Sequence, residues 1–156
     1  MQKITPFLWF DHQAEEAAKH YCSIFKKSKI VRVTRYGKAG PGPAGSVMTV
    51  DFKLEGQRFI ALNGGPTNKF NPALSLVVKC KSQKELDGYW TKLGRGGKPV
   101  ACGWLEDKYG LSWQVVPEGL EKLYSDKDPA KVERAMQAML KMVKLDMKKL
   151  KKAAKG

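Results

Sequence analysis

The sequence is poor in cysteine, histidine and acidic residues, and it has no long apolar run. Its three cysteines, Cys22, Cys80 and Cys102, are far apart and form no CxxC pair, which favours a reducing compartment. No secretory segment is recognised after Met1, and no apolar stretch approaches the roughly 20 residues that a membrane-spanning helix needs. We therefore expect a cytoplasmic protein without a membrane span.

Acidic residues are outnumbered by basic ones. The chain has 29 Lys and Arg against 15 Asp and Glu, a formal net charge of +14 in 156 residues. Half of this excess lies in residues 129–156, which contain nine basic residues and only two acidic ones, Glu133 and Asp146.

The chain is long enough for one domain. At this length a protein buries roughly 70% of the surface that its unfolded form exposes, so neither a disulfide nor a structural metal is needed for a core.

The C-terminal segment has the pattern of one amphipathic, lysine-rich helix over residues 128–156. Asp128 followed by Pro129 is a typical helix start, and apolar residues recur behind it at helical spacing. Lysines follow the same spacing on another face: Lys141, Lys144, Lys148, Lys151 and Lys155. A solvated helix face is the favoured interpretation, and attraction to phosphates or lipid headgroups is the alternative.

Residues 1–120 read as one domain of two similar modules, 1–66 and a shortened 72–120. In the first module, a strand at 4–10 leads through a cap at Asp11 into a helix, and strands follow at 29–36, 46–54 and 57–62. In the second, a strand at 74–80 leads into a helix opened by the capping box of Ser82 and Glu85. Strands at 98–106 and 111–116 then pair around a turn at 108–110.

None of the glycine clusters opens a helix after a parallel strand, so the dinucleotide-binding fingerprint is absent. Two strand-helix-strand modules without that fingerprint predict an α+β protein. We expect paired βαβββ modules that form a curved, mainly antiparallel sheet with helices on its convex face.

Three segments occur in a characteristic order: FLWFDHQAEEAAKHY near the start, ALNGGP at 61–66 and CGWLEDKYGLSWQVVP at 102–117. Together they resemble the PhnB-like branch of the glyoxalase and bleomycin-resistance superfamily, also called the vicinal-oxygen-chelate superfamily, over essentially residues 2–143. Proteins of this branch are often labelled 3-demethylubiquinone-9 3-methyltransferase. The missing glycine-rich turn argues against that activity, because the common methyltransferases use such a turn to hold S-adenosylmethionine.

The resemblance implies a cup of eight strands, four from each module, with a ligand cavity on the concave side. Metal-using members place four ligands on the first and last strands of each module. By strand position these places correspond to Thr5, Asn63, Ser75 and Gln114. Strand alternation independently places Ser75 opposite the helix-facing side of its strand and Gln114 opposite Trp113.

Hydroxyl and amide groups are poor ligands for a first-row metal, which prefers imidazole, thiolate or carboxylate. We therefore predict neither a metal nor a cofactor, and a small-molecule site in which the four polar groups form hydrogen bonds. Phe7, Trp9, Phe70 and Trp104 are candidates for its aromatic walls, or else they fill the core or a subunit interface.

Three functions remain open. The first is metal-independent binding of a small molecule by a homodimer. The second is an enzyme of unknown reaction, in which Gln114 or Asn63 polarises a carbonyl, although no pair of titratable groups converges to assist it. The third is binding of nucleic acid or another anionic surface through the lysine-rich tail, which rests on charge alone.

Overall fold

The computed structural model describes residues 2–156, which form two compact units that meet in sequence between Phe70 and Asn71. Each unit contains one four-stranded mixed sheet and the helix that connects its first two strands. The predicted α+β class with two βαβββ modules is confirmed. None of the helices within residues 2–156 is long and apolar enough to cross a bilayer.

The first unit has the element order β1 (Phe7–Phe10), α1 (Ala14–Ile24), β2 (Lys29–Arg35), β3 (Val47–Leu54) and β4 (Gln57–Asn63). Its strand order is β1-β4-β3-β2, with β1 parallel to β4 and the other pairs antiparallel. One face of this sheet carries Leu8, Val50 and Phe52, which are buried against α1. Small residues, Ala14, Ala17 and Ala18, let the helix lie close to the sheet.

The prediction that Asp11 caps α1 is wrong. Asp11 lies two residues before the N-cap position, which Gln13 occupies without a capping side-chain bond. The amide oxygen of Asn63 instead accepts a hydrogen bond from the Ala14 N–H at 2.8 Å. A residue from the last strand of the unit therefore provides the acceptor for the first N–H group of the helix.

The second unit begins with β5 (Ser75–Cys80), α2 (Gln83–Gly94), β6 (Lys98–Pro99), β7 (Trp104–Glu106) and β8 (Ser112–Pro117), in the strand order β5-β8-β7-β6. The capping box of α2 is confirmed, because the Ser82 hydroxyl accepts from the Glu85 N–H at 3.2 Å. The Glu85 carboxylate accepts in turn from the Lys81 N–H at 2.7 Å.

The strand predicted over 98–106 is two short strands. Cys102 and Gly103 both have positive φ, which turns the chain between β6 and β7. Their N–H groups donate to the carbonyls of Met142 and Val143, each at 2.8 Å. A tertiary contact with the C-terminal segment therefore takes the place of strand pairing.

The prediction of one continuous helix over residues 128–156 is also wrong. The structure has a short α3 (Leu120–Tyr124), then α4 (Pro129–Leu140) and α5 (Met147–Lys155). The interruption occurs where Leu145 is fully buried and where Gln83 binds both the Leu145 carbonyl and the Met147 N–H. Asp128 caps α4 as expected, and Asp146 caps α5 by accepting from the Lys149 N–H at 2.9 Å.

Candidate ligand-binding site

A pair of neutral polar side chains lies on the face of the second sheet opposite α2. The Gln114 amide donates from Nε2 to the Ser75 hydroxyl oxygen at 2.9 Å, and both residues are half-buried. Gln114 is in register with Val77 on β5 and with Trp104 on β7, so the three side chains share one face. Val77 is 53% exposed and Trp104 half-buried, which gives the polar pair an apolar border that a ligand can reach.

The hairpin that delivers Gln114 is organised by a buried carboxylate. Asp107 Oδ1 accepts from the N–H groups of Tyr109 and Leu111, at 2.8 and 3.1 Å, and so closes the turn between β7 and β8. Its Oδ2 accepts from the indole N–H of Trp113 at 2.8 Å. Because Trp113 is thereby fixed on the buried side, strand alternation turns Gln114 to the opposite side.

The opposite face of the first sheet carries two of the predicted aromatic residues. Phe7 is 55% exposed, and Trp9 is half-buried with its indole N–H donating to the Gly65 carbonyl at 2.9 Å. A Cβ at Gly64 would overlap the Trp9 ring, so the Asn-Gly-Gly segment is shaped to admit this ring. Thr5 is half-buried just before β1.

Asn63 and Phe70 do not lie on that open face. Asn63 is in register with Phe10 and shares its helix-facing side, where its amide accepts from Ala14 and donates to the Val47 carbonyl at 3.1 Å. The ring of Phe70 packs edge-on against the buried Phe10 at 5.2 Å between centroids. Within the first unit, the predicted residues therefore fall into two groups on opposite sides of the sheet.

Sequence reasoning missed two cavities in the first unit. The first, of about 520 Å³, lies at the start of α1, and its lining includes Asp11, His12, Glu15, Tyr36, the glycine- and proline-rich loop before β3 and the predicted site residue Asn63. Gly40 and Gly42 lie against the Tyr36 ring, whose hydroxyl donates to the Asn63 carbonyl at 2.5 Å. The glycine- and proline-rich composition of this loop predicts only the absence of regular structure, not a cavity.

The second missed cavity, of about 590 Å³, lies on the open face of the first sheet and is basic. Arg58 donates through Nε to Asp51 Oδ1 at 2.8 Å and through Nη2 to Oδ2, while Arg32 Nη2 lies 3.6 Å from Oδ2. The hydrogen bonds from Arg58, and to a smaller extent the positive charges of Arg58 and Arg32, hold the pKa of Asp51 below its usual value despite its burial. Alternation along β3 separates Asp51 and Lys53 from the buried Val50 and Phe52, but nothing in the sequence pairs Asp51 with two arginines.

Burial disfavours the thiolate form of two of the three cysteines. Burial raises the pKa of Cys80 to about 12, and burial also raises the pKa of Cys22. Cys102 is half-buried on the positive-φ turn before β7. Within residues 2–156, no three side chains of His, Cys, Asp or Glu converge on one point.

Comparison with known proteins gives the family. Residues 2–116 match the family model described as 3-demethylubiquinone-9 3-methyltransferase. The chain is similar to the PhnB protein from Bacillus cereus, with 40% identity, a TM-score of 0.67, and coverage of 74% of this chain and 99% of that one. It is similar in fold to protein PA1353 from Pseudomonas aeruginosa, with 19% identity, a TM-score of 0.63, and coverage of 76% and 98%. No curated protein matches.

The two βαβββ modules and the matching family model define the class to which the chain belongs. This chain is a member of the PhnB-like family, the one whose model is described as 3-demethylubiquinone-9 3-methyltransferase. The family resemblance expected from the three sequence segments is confirmed.

Proposed function

We propose that this protein binds a small organic molecule without a metal ion, and that Gln114 and Ser75 contact that molecule. The observation that carries the proposal is the hydrogen bond between these two neutral side chains on an accessible sheet face. The bond uses one amide proton of Gln114, and it leaves the amide oxygen and the Ser75 hydroxyl proton available to a ligand. Trp104 and Val77 beside them provide apolar contact.

The donor groups at the four family positions do not fit a first-row metal ion. Thr5 and Ser75 offer neutral hydroxyls, and Gln114 offers a neutral amide. Asn63 already accepts from the Ala14 N–H on the helix side of its sheet. These neutral groups suit a ligand with a carbonyl or amide edge, and the indole of Trp104 suits a planar ring.

The proposal is tested by a thermal-shift screen of planar heterocycles, small metabolites, S-adenosylmethionine and divalent metals. A ligand that binds the native state raises its melting temperature. We expect a hit among planar molecules, with an affinity that falls about tenfold in Gln114→Ala. A hydrogen bond contributes about 1 kcal/mol, and its loss also leaves a polar group of the ligand without a partner. Gln137→Ala, which removes a surface glutamine from α4, is the matched control.

Two outcomes would contradict the proposal. One is a stoichiometric metal in the purified protein that Gln114→Ala removes. The other is a ligand whose affinity is the same in the wild type, Gln114→Ala and Gln137→Ala. Tight S-adenosylmethionine binding with product formation would instead support the activity in the family description.

A second candidate function is binding of an anionic polymer through α5. Four of its lysines, Lys148, Lys149, Lys151 and Lys152, are exposed and have no carboxylate partner within residues 2–156. Truncation would be a poor test, because Leu145 and Leu150 are buried. Replacing the four lysines by glutamine should lower the salt concentration at which the protein leaves a heparin or DNA column, and an unchanged elution position would contradict this function.

We also propose a homodimer. Phe7 on the edge strand β1 is 55% exposed, and Leu74 and Val77 at the edge strand β5 are 57% and 53% exposed. Large apolar side chains on open sheet edges are typical of contact surfaces. Light scattering should give twice the chain mass for the wild type and for Val143→Asp, but a monomer mass for Phe7→Asp; a monomeric wild type would overturn this proposal.

A further inference from the structure

The basic cavity on the first sheet has the composition of an anion site. Its charged lining residues are Arg32, Lys53, Arg58 and Asp51, and the other lining residues are Gln2, Val31 and Gly56. The three cations exceed the single carboxylate by two charges. An ion-pair cluster that only stabilised the fold would be nearer to neutrality, because unpaired like charges repel one another.

Asp51 fixes the guanidinium of Arg58. The carboxylate side chain is only 6% exposed and accepts two bonds from Arg58, through Nε and Nη2. Gln2 fixes the backbone of the same residue, since its Oε1 accepts from the Arg58 N–H at 2.9 Å and its Nε2 donates to the Arg58 carbonyl at 3.1 Å. The Nη1 group of Arg58 keeps its donors for another partner.

Arg32 is held less tightly. Its Nη2 is 3.6 Å from Asp51 Oδ2 and its side chain is 66% exposed, so most of that side chain is open to solvent. Arg32 and Asp51 are in register across β2 and β3, and Lys53 is in register with Arg58 across β3 and β4. Three cationic groups on adjacent strands thus surround one cavity.

We propose that this cavity binds a small molecule through an oxyanion group, a carboxylate or a phosphate, held by Arg32 and Arg58 with Lys53 beside them. Guanidinium groups present paired donors that match both kinds of oxyanion. The volume of about 590 Å³ suits a small molecule. Asp51 is a positioning residue, because its carboxylate would repel the ligand and acts only through the arginines. This inference goes beyond the site of Gln114 and Ser75 and involves none of its residues.

The test is calorimetric titration with inorganic phosphate and with succinate at constant ionic strength. Arg32→Gln should weaken binding of the preferred probe about tenfold, since a charge-assisted bond is worth roughly twice a neutral one. Arg95→Gln, at the end of α2, makes the same charge change elsewhere and should bind as the wild type does. Phosphate binding tighter than succinate assigns a phosphate-bearing molecule, and the reverse assigns a carboxylate.

A second readout does not depend on a variant. Saturation with the preferred probe should shift the Arg58 Nε–H resonance in a proton–nitrogen spectrum and leave that of Arg95 unchanged. The proposal is overturned if neither probe binds, if Arg95→Gln weakens binding as much as Arg32→Gln, or if only a polyanion such as heparin binds. Each result can be obtained whether or not the Gln114 site has a ligand.

Discussion

The carboxylate of Asp107 and the indole N–H of Trp113 form a buried hydrogen bond of 2.8 Å across the hairpin of β7 and β8. The same carboxylate closes the turn through its other oxygen. The position of Gln114 therefore depends on a residue that does not belong to the candidate site.

Asp107→Asn should lower the free energy of unfolding by about 1–3 kcal/mol, because an amide nitrogen placed opposite the Trp113 indole cannot accept its proton. Urea denaturation measures the change. Asp126→Asn, at an exposed position that keeps its acceptor for the Asp128 N–H, serves as the control and should change stability little. Equal stabilities for the two variants would show that the Trp113 bond does not fix the hairpin.

Two glycines in the second unit should respond to alanine with opposite signs. A Cβ at Gly97 would overlap the Glu106 carbonyl oxygen, whereas one at Gly88, inside α2, meets nothing within 4 Å. We expect Gly97→Ala to cost about 2 kcal/mol or more and Gly88→Ala to stabilise by up to about 1 kcal/mol. Thermal unfolding of the two variants measures both, and a stabilised Gly97→Ala would contradict the close packing of the segment before β6.

The Asp51 cluster should make stability depend on pH in the acid range. Its bond from Arg58 holds the pKa of Asp51 below the ordinary value, so the ionised form stabilises the fold. That stabilisation is complete above about pH 4, the unfolded pKa, and is lost as the pH falls through the lower folded pKa. The stability difference between the wild type and Asp51→Asn should therefore be constant at neutral pH and shrink below about pH 4.

Urea denaturation at several pH values measures this difference. Glu121→Gln removes a carboxylate that is exposed and paired with Lys79 at 3.3 Å, and it should change stability little at any pH. A difference for Asp51→Asn that grows on acidification would mean that the carboxylate destabilises the native state.

The sequence predicted elements whose signals are local. The capping box of Ser82 and Glu85 and the Asp128-Pro129 start both lie at the expected helix ends, because each depends on residues within one turn. Alternation likewise separated Trp113 from Gln114. The predictions that were wrong concern features that depend on long-range contacts. The helix is interrupted at Leu145 because that residue is buried, and residues 98–106 form two strands because the chain between them bonds to Met142 and Val143.

Part of the candidate site was beyond sequence reasoning for the same reason. The bond between Ser75 and Gln114 joins residues 39 positions apart, and only the parallel register of β5 and β8 brings them together. Asn63 was assigned by its place in a family pattern, which does not reveal that its strand position shares a face with Phe10. The pairing of Asp51 with Arg32 and Arg58 likewise requires the strand register.

Asn63→Ala should lower the free energy of unfolding by about 1–2 kcal/mol, the usual effect of losing a helix cap, because the Ala14 N–H loses its acceptor. Asn68→Ala, in the exposed loop after β4, is the matched control. Urea denaturation measures both. If the two variants were equally stable, the bond between Asn63 and Ala14 would contribute nothing to the helix start.

The distance along the chain between Asn63 and Ala14 is 49 residues. During synthesis, α1 leaves the ribosome long before the residue that completes its first turn exists. A nascent chain that ends before β4 therefore carries a helix with an unfinished beginning, and this helix is less stable until the last strand of the unit has been made. The start of α1 should consequently gain its full stability only when the last strand of the module is in place.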